Sequence, residues 1–259
     1  MIQLNNLKLD ELIATVPLGY PTGLKSFDKA TGGLRPGKLY LLGGASGDGK
    51  TSVMISLACQ MAKAGHQVLY IGTEDDTTTI VGKMIANLSG VIIGPQLGDV
   101  DKQLAQSMLA KYNNIWLEHY EDNDFDLAGC VQKAAEEGIK YVFYDYLGAL
   151  AGRSDKEWRE LEMLADKLKR LTTKFGISLM TATQLSITAR TDKERPEFLD
   201  ERYLANSKGI VRKADVAFNL ERKTNNNPTV LVFHMYKNRC GAKAKFELKM
   251  DYARCRLYE

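Results

Sequence analysis

Gly43-Gly44-Ala45-Ser46-Gly47-Asp48-Gly49-Lys50-Thr51 has the residue types and spacing for one kind of chemistry, the handling of phosphate. It fits G-x-x-x-x-G-K-[ST], with Gly44, Gly49, Lys50 and Thr51 at the fixed positions. Its four glycines let the backbone close into a nest of N–H donors aimed at phosphate oxygens. A helix opening at Lys50 adds the positive end of its dipole. Lys50 is then placed for the β- and γ-phosphates, and the Thr51 hydroxyl for Mg²⁺. Ala45, Ser46, Gly47, Asp48 and Ser52 complete the nucleotide-binding stretch. The expected ligand is ATP, or another nucleoside triphosphate, taken up with Mg²⁺.

Hydrolysis needs three further groups: a metal carboxylate, a base for water, and a sensor of the γ-phosphate. Tyr141-Val142-Phe143-Tyr144-Asp145 is an apolar run ending in an acid. Asp145 is the expected partner of Thr51 in holding Mg²⁺. Ile71-Gly72-Thr73-Glu74-Asp75-Asp76 closes a neighbouring strand with three acids. Ligands of open α/β sheets sit at the carboxyl ends of strands, so these acids belong near the phosphates. Glu74 is the candidate general base. Asp75 and Asp76 are the alternatives, and either would otherwise cap the helix that follows. Leu179-Met180-Thr181-Ala182-Thr183-Gln184 ends a third strand on an amide, and Gln184 there can hydrogen-bond a γ-phosphate and report its loss.

These groups must be held by regular elements. Lys38 to Leu42 reads as a buried strand, and Ser52 to Ala64 as a helix with Val53, Ile55, Leu57, Ala58 and Met61 at helical spacing. Strands are expected at Gln67–Gly72, Ile115–His119, Tyr141–Tyr144 and Ile177–Ala182. Helices are expected at Thr77–Leu88, Asp101–Tyr112, Leu127–Glu137 and Asp155–Phe175. Such alternation means βαβ units around a parallel sheet. Val216–Leu220, Thr229–Tyr236, Lys245–Lys249 and Cys255–Tyr258 then follow as strands without helices between them. Asn225-Asn226-Asn227-Pro228 is the turn between the first two. The expected class is α/β: a mostly parallel, twisted sheet flanked by helices, with antiparallel strands at the C-terminal end.

At 259 residues, with 44% hydrophobic content, the chain suits one α/β domain with insertions. Cys59, Cys130, Cys240 and Cys255 show no C-x-x-C spacing, and His66, His119 and His234 complete no zinc set. Reduced thiols and a cytoplasmic setting are expected. No apolar run approaches the ~18 residues of a membrane span, and no signal-peptide core is present. The net charge of +3 is unevenly spread: residues 185–259 hold 16 Lys/Arg against 10 Asp/Glu. A basic C-terminal third suits a polyanionic partner. Residues 1–16, with Leu7, Leu9, Leu12 and Ile13 apolar, read as a helix or arm that packs on its own domain or on a neighbouring subunit.

Pro21-Thr22-Gly23, Gly32-Gly33-Leu34-Arg35-Pro36-Gly37, the phosphate loop, Thr73-Glu74, Asp145-Tyr146-Leu147, Thr183-Gln184-Leu185, Ala214-Asp215-Val216 and Lys237-Asn238-Arg239 occur in this order. The series resembles the RecA-type motor domain of DnaB-family replicative helicases, over about residues 17–259. That resemblance implies a RecA-like phosphate-loop NTPase core in a hexameric ring, hydrolysing NTP between subunits. It implies translocation along single-stranded DNA, 5′ to 3′, unwinding of duplex, and a primase or helicase loader as partner. Lys50, Thr51, Glu74, Asp145 and Gln184 match the family's phosphate, metal, base and sensor positions. Lys237 and Arg239 match the basic pair that reaches a neighbour's γ-phosphate, where a guanidinium stabilises charge growing in the transition state. Arg222, at the tail of Leu220-Glu221-Arg222, matches an arginine that lies against the nucleotide base in phage primase-helicases. Arg254, Tyr252 or Met250 would supply the opposite side.

Two departures accompany the resemblance. About sixteen residues precede the motor, so it implies either a compact form without the N-terminal collar, of a phage- or plasmid-encoded kind, or a truncated chain. Gln184-Leu185-Ser186-Ile187 stands where the family has Gln-Leu-Asn-Arg. DNA contacts are expected from Ala149–Lys156, with Arg153, and from Thr188–Lys208, with Arg190, Lys193, Arg195, Arg202 and Lys208. Neither loop has an aromatic ladder, so contacts to the phosphate backbone without sequence preference are expected. Two other functions fit parts of the pattern: a RecA/RadA-like recombinase, and a nucleotide-dependent clamp or loader module with little turnover.

Overall fold

The computed structural model describes residues 18–120, 125–147, 155–184, 208–223 and 229–259. The strands are β1 (Leu39–Gly44), β2 (Val68–Gly72), β3 (Ile115–His119), β4 (Tyr141–Asp145), β5 (Ser178–Gln184), β6 (Val216–Lys223), β7 (Thr229–Asn238), β8 (Ala244–Asp251) and β9 (Arg256–Tyr258). They form one sheet in the order β3-β2-β4-β5-β1-β6-β7-β8-β9. Pairing is parallel from β3 through β6 and antiparallel from β6 to β9. The expected class therefore holds, including its antiparallel end.

The helices are α1 (Lys25–Thr31), α2 (Lys50–Lys63), α3 (Thr77–Ser89), α4 (Asp99–Lys111), α5 (Leu127–Glu136), α6 (Asp155–Phe175) and α7 (Lys208–Lys213). The period-2 geometry of a strand divides the core into two layers. Tyr40 and Leu42 of β1, with Tyr141 and Phe143 of β4, join Phe27 of α1, Val53, Met54 and Leu57 of α2 and Ile80 of α3. Leu39 and Leu41, with Val142 and Tyr144, join Val131 of α5, Leu168 of α6 and Val211 of α7 on the opposite face. Each fully buried side chain of this size contributes roughly 1.5–3 kcal/mol by leaving water. Both faces of the central strands are covered, so β1, β2 and β4 are buried at every position. Continuous apolar runs, rather than alternation, are their mark in the sequence.

Register settles where the sheet presents chemistry. Gly44 lies opposite Gln184 and Leu220, and Gly72 opposite Asp145. The phosphate loop, the Thr73–Asp76 acids, Asp145 and Gln184 therefore leave the sheet at one edge. β7 runs the other way, with Asn238 opposite Val216, and the Arg239 N–H donates to the Asp215 carbonyl at 2.9 Å. Arg239 thus lies at the opposite edge, beside the start of β1. The six residues of β1 separate these edges by about 20 Å at ~3.3 Å per residue. The sequence left α7 unassigned: its six residues are too few to show a period. Among the described residues, no helix is long and apolar enough to cross a membrane.

Candidate nucleotide site

β1 delivers the chain into the phosphate loop, and the loop is closed by its own aspartate. Asp48 is buried, its Oδ2 accepts the Ala45 N–H at 2.8 Å, and its own N–H donates to the Ala45 carbonyl at 3.2 Å. Gly49 precedes α2 at φ 94°, a left-handed conformation that side chains resist. A Cβ there would also stand 2.6 Å from the Tyr252 hydroxyl. Lys50 is 8% exposed, and its Nζ donates to the Gly44 and Ala45 carbonyls at 3.1 Å each. The ammonium is therefore folded back over the loop rather than extended into solvent.

Asp145 lies 4% exposed behind the loop, with Oδ2 accepting the Tyr70 hydroxyl at 3.1 Å. Burial raises its pKa, while the Thr51 and Tyr70 hydroxyls and the Lys50 charge pull it back down. Its second oxygen, Oδ1, is buried with no hydrogen-bond partner among the described residues. An orphaned carboxylate oxygen beside a threonine hydroxyl is a donor set for a hard divalent cation. Thr51 and Asp145 therefore fit Mg²⁺. Burial also pushes the Tyr70 hydroxyl well above its ordinary pKa, helped by the Asp145 charge, so Tyr70 stays a donor.

The strand-end acids part company. Asp75 pairs with Lys83. Asp76 caps α3, accepting the Thr79 N–H at 3.0 Å and its hydroxyl at 2.6 Å. Glu74 is exposed beside them. Thr73 ties this turn to β4: its N–H and hydroxyl both donate to the Asp145 carbonyl, at 2.9 and 3.1 Å. Gln184 stands exposed at the end of β5 and its Nε2 donates to the Tyr146 hydroxyl at 3.2 Å. Burial raises the Tyr146 pKa, and the charges of Glu74 and Asp145 raise it further. Tyr146 thus touches Gln184 and feels the charge of Glu74.

Arg222 leaves the end of β6 over the Tyr252 ring, 4.7 Å from its centroid, and its Nη1 donates to the Gly47 carbonyl at 3.4 Å. The Tyr252 hydroxyl donates to the Asp48 carbonyl at 3.2 Å. Met250 is buried, and Arg254 is held by Asp251 and the Gly90 carbonyl, each at 3.1 Å. Of the three residues considered opposite Arg222, the fold brings Tyr252 to it. Lys237 and Arg239 are remote from all of this. Lys237 Nζ donates to the Val211 carbonyl and, at 3.0 Å, to that of Arg212. Arg239 Nη2 donates to the Arg212 carbonyl at 2.8 Å. Within one subunit the basic pair and the phosphate loop do not meet.

The profile of the DnaB-like helicase C terminal domain family matches residues 19–258. The chain belongs to that family. A prophage-derived uncharacterized protein of Bacillus subtilis, YorI, is 26% identical, over 82% of this chain and 49% of that one. The replicative DNA helicase DnaB of Helicobacter pylori (strain 26695) is also 26% identical, over 79% and 44%. This chain spans about half the length of the curated relatives it matches. A solved structure of an isolated ATPase domain superimposes with a TM-score of 0.81 at 16% identity, covering 96% of this chain and 94% of that one. A DnaB-like replicative helicase, solved in a study of its interactions with primase, gives 0.82 at 16% identity, covering 100% and 68%. The structural likeness establishes a RecA-like fold.

In this DnaB-like domain, Arg153, Arg190, Lys193, Arg195 and Arg202 lie outside the described residues, as do residues 1–17. Lys208 is described only in its backbone, as the first residue of α7. Sequence reasoning missed Tyr146, although its place directly after Asp145 was a signal. It also missed Tyr70 and Thr73, whose contacts with Asp145 depend on which strand lies beside β4.

Proposed function

We propose that this DnaB-like domain is the motor of a hexameric ring that hydrolyses ATP, or another NTP, at subunit boundaries. The ring moves along single-stranded DNA, 5′ to 3′, and parts the duplex ahead of it, with a primase or a helicase loader as protein partner. Its setting is the cytoplasm of a bacterial cell or a phage-infected host. The observation that carries this is the division of the machinery between two edges of one sheet. Loop, metal carboxylate, acid and amide share one edge, and the basic pair stands about 20 Å away at the other. Head-to-tail packing, which makes a ring when its rotation closes and a filament when it does not, brings opposite edges of neighbouring subunits together.

In such an interface the loop N–H groups and Lys50 hold the triphosphate, and the base lies against the Arg222–Tyr252 pair. Thr51 and Asp145 would hold Mg²⁺, which would supply positive charge against the triphosphate. Glu74 accepts the proton of the attacking water, and Gln184 donates to a γ-phosphate oxygen. Arg239 of the adjoining subunit, with Lys237 beside it, meets the charge that spreads over the transferring group. Loss of the γ-phosphate frees Gln184, whose strand leads directly into the segment carrying the DNA-facing arginines and lysines.

The test combines hydrolysis with and without single-stranded DNA, unwinding of a forked duplex, and particle images. DNA-stimulated turnover, strand separation and six-membered rings are expected. Filaments that coat DNA without separating strands would point to the recombinase alternative, and binding without turnover to a clamp or loader. Affinity for single-stranded DNA should fall log-linearly with salt at a slope of ~−0.7 per phosphate contact. Changing Lys193 and Arg195 to alanine should lower it equally for oligonucleotides of different sequence, and a strong preference for one sequence would contradict backbone contacts. Tyr252→Ala should raise the nucleotide Kd by about tenfold, the worth of one stacked base. An unchanged Kd would put the base elsewhere.

A further inference from the structure

Asp215 stands between α7 and β6, 3% exposed, and a carboxylate buried to that degree requires partners. Its Oδ2 accepts the Leu39 N–H at 2.9 Å and lies 2.6 Å from the Lys169 ammonium. Its Oδ1 lies 3.8 Å from Nη1 of Arg239. Its main chain makes the same two connections: the Asp215 N–H donates to the Leu39 carbonyl at 2.8 Å, and the Arg239 N–H donates to the Asp215 carbonyl at 2.9 Å. One residue thus grips the first residue of β1 and Arg239, each through backbone and carboxylate.

We infer that Asp215 is a positioning residue for Arg239, holding its guanidinium ready for a neighbour's γ-phosphate; this rests on the shared-site function proposed above. The surroundings of Arg239 make an anchor necessary. Its cleft, of about 440 Å³, is also lined by Arg35, Lys38 and Lys169 and, among the described residues, by no carboxylate. Like charges so close push an exposed guanidinium outward. Among the described residues, two contacts oppose that push, the Arg212 carbonyl at 2.8 Å and the Asp215 carboxylate. Only the second carries charge. A side chain already confined loses less freedom when the phosphate arrives, and misplacement of ~1 Å can cost 10²-fold in rate. Lys169, which also donates to the Gly37 carbonyl at 2.7 Å, leaves the buried carboxylate fixed from the side of α6.

The test is Asp215→Asn, which keeps an acceptor for the Leu39 N–H and removes the charge. Nucleotide Kd should stay within about twofold while turnover falls by at least ~10-fold. A structural fault would do as much, so the deciding readout is the direction of complementation in mixed rings. Asp215→Asn mixed with Lys50→Ala should regain hydrolysis, because it still offers a sound phosphate loop to the other subunit's Arg239. Asp215→Asn mixed with Arg239→Ala should regain none, because no subunit then offers a sound finger. Recovery with Arg239→Ala but not with Lys50→Ala would overturn the proposal by making Asp215 serve its own loop. Recovery with neither would also overturn it, as a fold defect. If Arg239→Ala and Lys50→Ala fail to complement each other, the shared site itself falls and this inference with it. Should an unpaired Lys169 charge unfold the single variant, Asp215→Asn combined with Lys169→Met removes both charges of the pair and meets the same criteria.

Discussion

Glu74→Gln should bind nucleotide with near-normal affinity and turn it over at least ~10²-fold more slowly. The amide keeps the shape and exposure of the side chain but cannot take a proton from water. Its two neighbours are the controls. Asp75 is engaged by Lys83, and Asp76 by the first turn of α3. Asp76→Asn should therefore change stability and turnover little, since asparagine caps a helix about as well as aspartate. Equilibrium binding of a fluorescent nucleotide and a phosphate-release assay check both statements. Near-normal hydrolysis by Glu74→Gln would move the base to Asp75 or Asp76.

The larger loss is expected from Arg239→Ala: if it acts as an arginine finger, turnover falls on the order of 10³-fold with nucleotide affinity preserved. Its partners are the Arg212 carbonyl and the Asp215 carboxylate, at the far edge of the sheet. Removing the side chain therefore leaves the subunit's own phosphate cradle intact. Arg239→Lys should recover little. An ammonium keeps the charge but lacks the planar fork that matches phosphate oxygens. Turnover close to wild type in Arg239→Ala would leave Lys237 as the only basic candidate from this strand.

The phosphate loop was legible because its chemistry is written in local geometry: each glycine and Lys50 answers to its own backbone turn. Asp145 and Gln184 were legible for a related reason. β4 reads as an unbroken apolar run whose first polar residue is Asp145, and Gln184 closes a buried strand that Thr181 and Thr183 already interrupt. Both stand at the carboxyl ends of parallel strands, where α/β sheets hold ligands. The sequence names Glu74 as the candidate base, with Asp75 and Asp76 as alternatives. That Lys83 engages Asp75 and Thr79 engages Asp76 depends on where α3 lies and could not be read locally. The Arg222–Tyr252 contact was legible on one side only. Tyr252 reaches the loop from 204 residues away in the chain, through the turn after β8, and nothing local announces it. Asp215 read as part of a motif, and its partners Leu39, Lys169 and Arg239 emerge only from the sheet order and the placement of α6. The arginines and lysines assigned to DNA rest on composition and on following catalytic strands, and all but the backbone of Lys208 lie outside the described residues.

That the active site is shared between subunits is tested most directly by mixing two inactive proteins. Arg239→Ala retains a sound phosphate loop, and Lys50→Ala retains a sound finger. Energy transfer between labelled subunits first establishes that rings exchange. Hydrolysis should then return in the mixture, because some interfaces join the intact loop of one subunit to the intact Arg239 of the next. A mixture that exchanges subunits and stays inactive would contradict the account, leaving Arg239 to act within its own chain or only to hold the fold.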